Sequence, residues 1–326
     1  HERRKLLTVT SALTAVGLLA MGLAPSFMML VVFSISVGIT CVTAQILVPL
    51  AAHLATDDKR GSAVGTVMGG LLMGILLART FSGIMAELAG WRSVFIAASV
   101  LMAIYSVACS RIIPHIPPTS HTSYRTLYLS ILHLFRDEPV LRRRSLIGGL
   151  QYAVFGIFWT SMAFMLVRQY GMSEAVIGLY GLIGAIGILS ARIAGRLADK
   201  GWARLSTGGV LMTTGLSWGL LYWGQWSLIA FALGVVLIDL GIQGAHISNQ
   251  SEVYRLNPEA RSRLTTGYMA SYFLGGACGS ASSAIAYGMG GWPAVVVLGA
   301  GVSVLCVLIW AATELRFPIR QMKQGA

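Results

Sequence analysis

Four polar side chains share one stripe of an otherwise apolar run. Asp239, Gln243, His246 and Gln250 recur at 4-3-4 spacing, which sets them on one face of a helix. A carboxylate, an amide and an imidazole in one row can hold a polar solute or carry a proton. An ionisable group inside a bilayer costs about 2.5–3.5 kcal/mol on insertion scales and marks a pathway or a buried pair. Asp239 is therefore read as a substrate or proton site, with a structural partnership to an arginine as the alternative. A second apolar run places Gln151, Phe155 and Trp159 on one face with Tyr152 adjacent. Aromatic rings beside an amide suit a cavity for amphipathic organic solutes, and aromatic packing is the competing reading. Arg79 lies too deep in its run to reach the headgroups easily, so it faces protein, in a structural or substrate-binding role. Arg196 sits near a run's end and can snorkel to the headgroups. Arg192 has a partner within its own half, Asp239 being one candidate. Ser36, Thr40 and Thr43 form a mild polar stripe with Gln45 beside it, a pattern that hydroxyls bonded to their own helix also produce.

The elements that hold these residues follow from composition. The chain has 326 residues, 56% hydrophobic and only 11% charged, with a mean hydropathy of +0.73. A water-facing particle carries about 25% charged residues. Apolar runs of about twenty residues recur throughout, the length of a spanning helix rather than a barrel strand. An all-α membrane protein is expected. The net charge of +12 reflects the loading of one membrane face with Lys and Arg, not nucleic-acid binding. Cys41, Cys109, Cys278 and Cys306 stand singly in apolar runs, so no metal site is expected, and no cofactor. Neither H-E-x-x-H nor G-x-S-x-G occurs, which sets a membrane enzyme aside.

Ten spans are predicted: 6–24, 27–52, 62–87, 91–110, 145–167, 176–197, 205–223, 227–250, 265–288 and 292–312. Of the 24 Lys and Arg, 19 fall in loops of one face and 2 in loops of the other, with Arg79, Arg192 and Arg196 inside spans. Both termini then lie on the basic, cytoplasmic side of a bacterial inner membrane.

An internal repeat organises the spans. Arg60 aligns with Arg261, Gly74 with Gly275, Gly90 with Gly291 and Trp91 with Trp292, each 201 positions apart. Two related bundles are implied, one of four helices over 1–110 and one of six over 145–313, followed by a tail at 314–326. The offset sets the partners of the spans at 145 and 176 before His1, so twelve helices are expected for the parent fold. The polypeptide then reads as lacking two of them, and a non-functional remnant of a carrier is an open alternative. The linker, 111–144, opens with prolines. Its stretch Tyr124–Phe135 reads as an amphipathic helix along the membrane face, a plain tether being the other reading. Arg142, Arg143 and Arg144 are expected to anchor the next helix at the headgroups.

The loop GRLADKGWAR, Gly195 to Arg204, resembles the cytoplasmic signature of the major facilitator superfamily, G-x-L-a-D-r-x-G-R-K. Gly195, Leu197, Asp199, Lys200 and Arg204 match; Gly201 comes one place early and Ala203 replaces an arginine. Arg3-Arg4-Lys5 is similar to the tail of a first copy, and Lys59–Gly65 to the family's loop after its fourth helix. The resemblance implies two bundles rocking about a central site, with the tenth helix lining it. Asp199, Arg204, Arg3, Arg4, Arg60 and Arg261 become gating residues that hold the cytoplasmic side shut. Proton-coupled efflux of a small organic solute by a monomer is the implied activity, of a drug/proton antiporter-like or sugar-efflux-like kind. A proton-coupled importer is the alternative. No P-loop occurs, so an ion gradient rather than ATP would drive it. The fifth helix of the resembled fold lacks the antiporters' proline but keeps Gly65, Gly69, Gly70, Gly74 and Gly83, expected as close-packing faces.

Overall fold

A computed structural model of the chain describes residues 2–56, 59–115, 124–183, 203–257 and 260–315. Their regular structure is helical: α1 (Arg3–Gly22), α2 (Phe27–Thr40), α3 (Thr43–Leu54), α4 (Arg60–Ala89), α5 (Trp91–Ile112), α6 (Tyr124–Asp137), α7 (Pro139–Tyr170), α8 (Glu174–Ile183), α9 (Ala203–Trp223), α10 (Leu228–Leu256) and α11 (Arg261–Trp310), with a π-helical turn at Ala311–Leu315. Six stretches are long and apolar enough to cross a bilayer: Arg3–Gly22, Gly65–Ala89, Trp91–Ile112, Pro139–Tyr170, Leu228–Leu256 and Arg261–Thr313. The last is two helices joined at Gly290 and Gly291, whose backbone leaves the helical region. The chain is a multi-pass helical membrane protein. Large apolar side chains such as Phe27, Val16 and Leu216 lie exposed, as lipid-facing ones must.

The repeat is visible in the backbone. Ser26 caps α2 by accepting from the Met29 N–H at 3.3 Å, and Ser227, 201 positions on, caps α10 by accepting from the Ala230 N–H at 3.3 Å. α4 starts at Arg60 and α11 at Arg261. Gly90 and Gly291 both take a positive φ, 77° and 62°, a conformation open to glycine, and each leads into a tryptophan that begins a helix. The same turn chemistry thus closes two helix pairs at equivalent positions.

Residues His1–His121 and Ser173–Leu182 form one compact unit; Thr122–Met172 and Ile183–Ala326 form the other. In the first, α1 packs on α5 through serines. Ser99 donates to the Ala15 carbonyl at 2.7 Å and Ser106 to the Thr8 carbonyl at 2.9 Å, each satisfying a donor that lipid would strand. Arg92 donates to the Ala24 carbonyl at 3.1 Å, tying α5 to the α1–α2 turn.

The expected span 27–52 is broken into α2 and α3 at Cys41 and Val42. The Thr40 hydroxyl takes the carbonyls of Ser36 and Val37, at 3.0 and 3.3 Å, and the Val42 N–H turns back to the Thr40 carbonyl. The Cys41 N–H still bonds the Val37 carbonyl at 2.8 Å, so the ladder is lost at Val42, whose N–H turns to Thr40 instead of Gly38.

The glycines of α4 also differ from expectation. Among the described residues, a Cβ at Gly65, Gly69, Gly70 or Gly74 meets nothing within 4 Å. Gly83 alone of the five makes a close approach: a Cβ there would lie 2.4 Å from the Glu174 carbonyl and 3.2 Å from Gly178 Cα. Thr80 donates to the Gly178 carbonyl at 3.3 Å, and Glu87 accepts from the Ala175 N–H at 3.0 Å. A carboxylate at the positive end of α8 is favourably placed. These contacts group α8 with α4, although the sequence reading counts it with the second bundle.

The second unit is seamed by α7 and α11. A Cβ on Gly275 would sit 1.9 Å from the Gly149 carbonyl, one on Gly279 2.2 Å from the Ala153 carbonyl, and one on Gly156 2.5 Å from the Gly276 carbonyl. Only glycine permits this approach. Hydroxyl pairs Thr160–Ser280, at 2.7 Å, and Ser161–Ser283, at 2.6 Å, stitch the same seam.

Candidate functional site

The polar stripe lies on α10, inside the second unit. Asp239 is 5% exposed, while Gln243, His246 and Gln250 are half-buried. Trp159 of α7 donates its indole N–H to Asp239 Oδ1 at 3.3 Å. The two sequence candidates on separate spans are therefore in direct contact. A buried carboxylate demands such donors because water is withdrawn from it.

From Trp159 a row of rings crosses to α11. Phe155 lies 6.0 Å from Trp159 and 5.1 Å from Tyr152, centroid to centroid, and Tyr152 stacks on Tyr272 at 4.0 Å. The seam glycines make this stack possible. Gly276 leaves room for the Tyr152 ring, which a Cβ there would meet at 2.4 Å. His246 packs 4.5 Å from Tyr272, and its Nδ1 lies 3.2 Å from the Tyr268 hydroxyl. Asp239, Trp159, Tyr152 and His246 thus belong to one continuous wall of polar and aromatic groups. Tyr152, Phe155 and Trp159 are half-buried, so their faces are not fully spent on packing.

Gln151 is placed elsewhere. It is 1% exposed and bonded inside the unit, accepting from Thr214 at 3.4 Å and donating to Cys306 Sγ at 3.7 Å. It joins α7, α9 and α11 and does not share the exposed face of Phe155 and Trp159. Arg79 belongs to the first unit. Its side chain runs along α8, where a Cβ on Gly181 would meet Arg79 Cβ at 2.8 Å. Gln45 lies on α3 and Arg60 begins α4, but their side chains fall outside the described residues.

Of the gating residues, Gly195 and Asp199 lie outside the described residues, as do Arg192 and Arg196, and Arg204 is described only as a backbone position in α9. Arg3 and Arg4 open α1. Arg4 donates to the Ser110 carbonyl at the far end of α5, where a cation meets the helix's negative end. Arg261 is exposed at the start of α11.

Arg144 corrects the sequence reading. It is 2% exposed rather than at the headgroups, and its Nη1 donates to Thr207 Oγ1 at 3.2 Å and to Asn249 Oδ1 at 3.3 Å. It joins α7, α9 and α10. Arg142 is exposed and Arg143 is half-buried, donating to the Thr313 carbonyl at 3.1 Å, so Arg144 alone of the three is enclosed. The signal was present: Arg144 precedes Gln151 by two helical turns, so both share the buried face. Asn249 lies about 15 Å along α10 from Asp239, which sets the buried cation and the buried acid at different depths. Among the described residues no three His, Cys, Asp or Glu side chains converge as a metal site.

Comparison with known proteins places this geometry. A family model described as Major Facilitator Superfamily matches residues 1–254. An Escherichia coli K12 protein named "Putative uncharacterized transporter YgaY" is 47% identical over 310 residues, covering 95% of this chain and 79% of that protein. A Helicobacter pylori protein named "Probable sugar efflux transporter" is 21% identical over 283 residues, covering 84% of this chain and 69% of that protein. Among solved structures, a bacterial homolog of the human lysosomal transporter Spinster, inward-facing and occupied, superposes with a TM-score of 0.72 at 16% identity. That match covers 96% of this chain and 82% of the other.

Proposed function

The chain belongs to the major facilitator superfamily and is a transporter of that family, and from that premise we propose that it couples proton movement to efflux of a small organic solute. The observation that carries this reading is Asp239, a carboxyl group 5% exposed within a bilayer-crossing helix and met by the Trp159 indole. Protonation removes a charge that a dry site holds at high cost. A conformation that buries Asp239 further is thus favoured when the proton is on, and one that hydrates it when the proton is off. A proton and a solute competing for such a group exchange across the membrane as the two bundles rock.

The aromatic wall suits the solute. Trp159, Phe155 and Tyr152 offer apolar faces, while Gln243 and His246 offer hydrogen bonds that fix orientation. Efflux is favoured over import by the name of the Helicobacter pylori relative. The basic bias of the loops favours cytoplasmic termini, and the Escherichia coli and Helicobacter pylori relatives favour a bacterial inner membrane. In this scheme Arg4, Arg60, Arg204, Arg261 and Asp199 hold the cytoplasmic side shut between cycles.

The test is Asp239→Asn in proteoliposomes, assayed with a panel of sugars and amphipathic solutes under an imposed pH gradient. Gradient-driven accumulation disappears in the variant while membrane insertion persists. Full gradient-driven transport by Asp239→Asn would overturn the proposal.

A further inference from the structure

The connecting helix α6 is docked on the second unit by one face and leaves another face uncovered. On its inner side, a Cβ added to Gly267 of α11 would meet the Phe135 ring at 2.7 Å and Ile131 Cγ2 at 3.4 Å. Leu134 and Phe135 pack on the cluster formed by Leu141, Val253, Leu264 and Tyr268. Arg142 of α7 donates to the Phe135 carbonyl at 2.7 Å and also to the Arg136 carbonyl. It thereby closes the last turn of α6 with a cation, as a helix C-terminus favours. A plain tether needs none of this.

The outer side is of a different kind. Tyr128, Leu129 and Leu132 are 69%, 45% and 64% exposed, and Arg136 is exposed with them. Leu129, Leu132 and Arg136 follow 3-4 spacing and form one stripe, from which Asp137 falls away. Exposed Arg142 adds a second cation beside it. α6 is not one of the bilayer-crossing stretches, yet α7, to which it is clamped, carries the exposed Leu146 two residues beyond Arg144. A short helix with leucines and arginine on one face, next to lipid-facing surface, has the composition of an interfacial helix.

We infer that the outer face of α6 binds anionic phospholipid on the membrane surface, the leucines entering the headgroup layer and Arg136 and Arg142 meeting lipid phosphates. Cations at an anionic surface find this partner by charge, and each contributes about fivefold in binding. The contact steadies the junction of α6 with α11 at Gly267 and Tyr268, one hydrogen bond from His246. The inference holds whichever solute is carried.

The experiment uses the full chain in nanodiscs of phosphatidylcholine alone and of phosphatidylcholine with phosphatidylglycerol, and reads amide hydrogen exchange over Tyr124–Asp137. Exchange across α6 slows severalfold in the anionic discs, and raised salt reverses part of the effect. Leu132→Gln and Arg136→Gln each reduce the difference, while exchange in α7 stays as in the parent chain and shows that the fold is kept. Equal α6 exchange in the two disc compositions overturns the inference. So does a lipid effect that both variants retain, since the lipid then acts elsewhere.

Discussion

Placing a methyl group in the α7–α11 seam tests the packing that shapes the aromatic wall. In Gly275→Ala the new Cβ would lie 1.9 Å from the Gly149 carbonyl oxygen, 2.5 Å from its carbon and 2.8 Å from Gly149 Cα. Ordinary contact begins near 3.4 Å, so the two backbones must part by more than an ångström. No side chain can rotate to absorb the strain, because all three atoms are main chain. Overpacking of this kind costs about 1–3 kcal/mol, and the backbone partners put this site at the upper end. Alanine gains about 1 kcal/mol over glycine inside a helix, which leaves a net loss of about 2 kcal/mol. Gly288 lies on the same helix with nothing within 4 Å of its Cβ position, so Gly288→Ala shows the gain alone. Thermal unfolding in detergent, followed by near-ultraviolet circular dichroism, lowers the midpoint of Gly275→Ala by about 4–8 °C and raises that of Gly288→Ala by a few degrees. A Gly275→Ala midpoint at or above the parent's would refute the close approach and the ring stack that depends on it.

Two further outcomes follow from the same contacts. Arg144→Leu removes two buried bonds, to the Asn249 and Thr207 side-chain oxygens, at about 1–3 kcal/mol, whereas Arg261→Leu, at an exposed position opening α11, stays within about 0.5 kcal/mol; equal melting points for the two would restore Arg144 to the headgroups. Gly83→Val drives a branched side chain into the Glu174 carbonyl and Gly178 Cα, so spin labels at the adjoining ends of α4 and α8 move apart in pulsed electron resonance, and an unchanged distance would contradict the crossing.

Local chemistry was the part of the fold most legible beforehand. Gly90 and Gly291 are turns at the expected offset, because a short stretch of chain sets each of them, and the Ser26 and Ser227 caps, which the sequence reading passed over, repeat at the same offset. A duplicated sequence therefore repeats its boundaries at a constant offset. The break between α2 and α3 was hidden, since it lies in the turn of the Val42 N–H back to Thr40, which a hydropathy pattern does not register. Glycine spacing was legible only as permission. Gly65, Gly69, Gly70 and Gly74 allow a helix to approach without saying that one does, and Gly83 is where α8 arrives.

At the site, Asp239, Trp159 and His246 stood out because polar groups in apolar runs are costly, whatever the fold. Their joining into one wall depends on α11 meeting α7, which no single helix encodes. Gln151 and Arg144 were misplaced for different reasons. Helical spacing groups Gln151 with Phe155 and Trp159, and only its contacts with Thr214 and Cys306 turn it inward. Arg144 was read with the two arginines before it, although it alone of the three is buried.

Proton coupling through Asp239 is tested most directly by trapping a pH-sensitive dye inside proteoliposomes and adding a transported solute. Solute addition to the parent protein shifts the internal pH, and the same addition to inserted Asp239→Asn gives no pH shift. A solute-driven pH change of equal size in Asp239→Asn would contradict the role assigned to the carboxyl group.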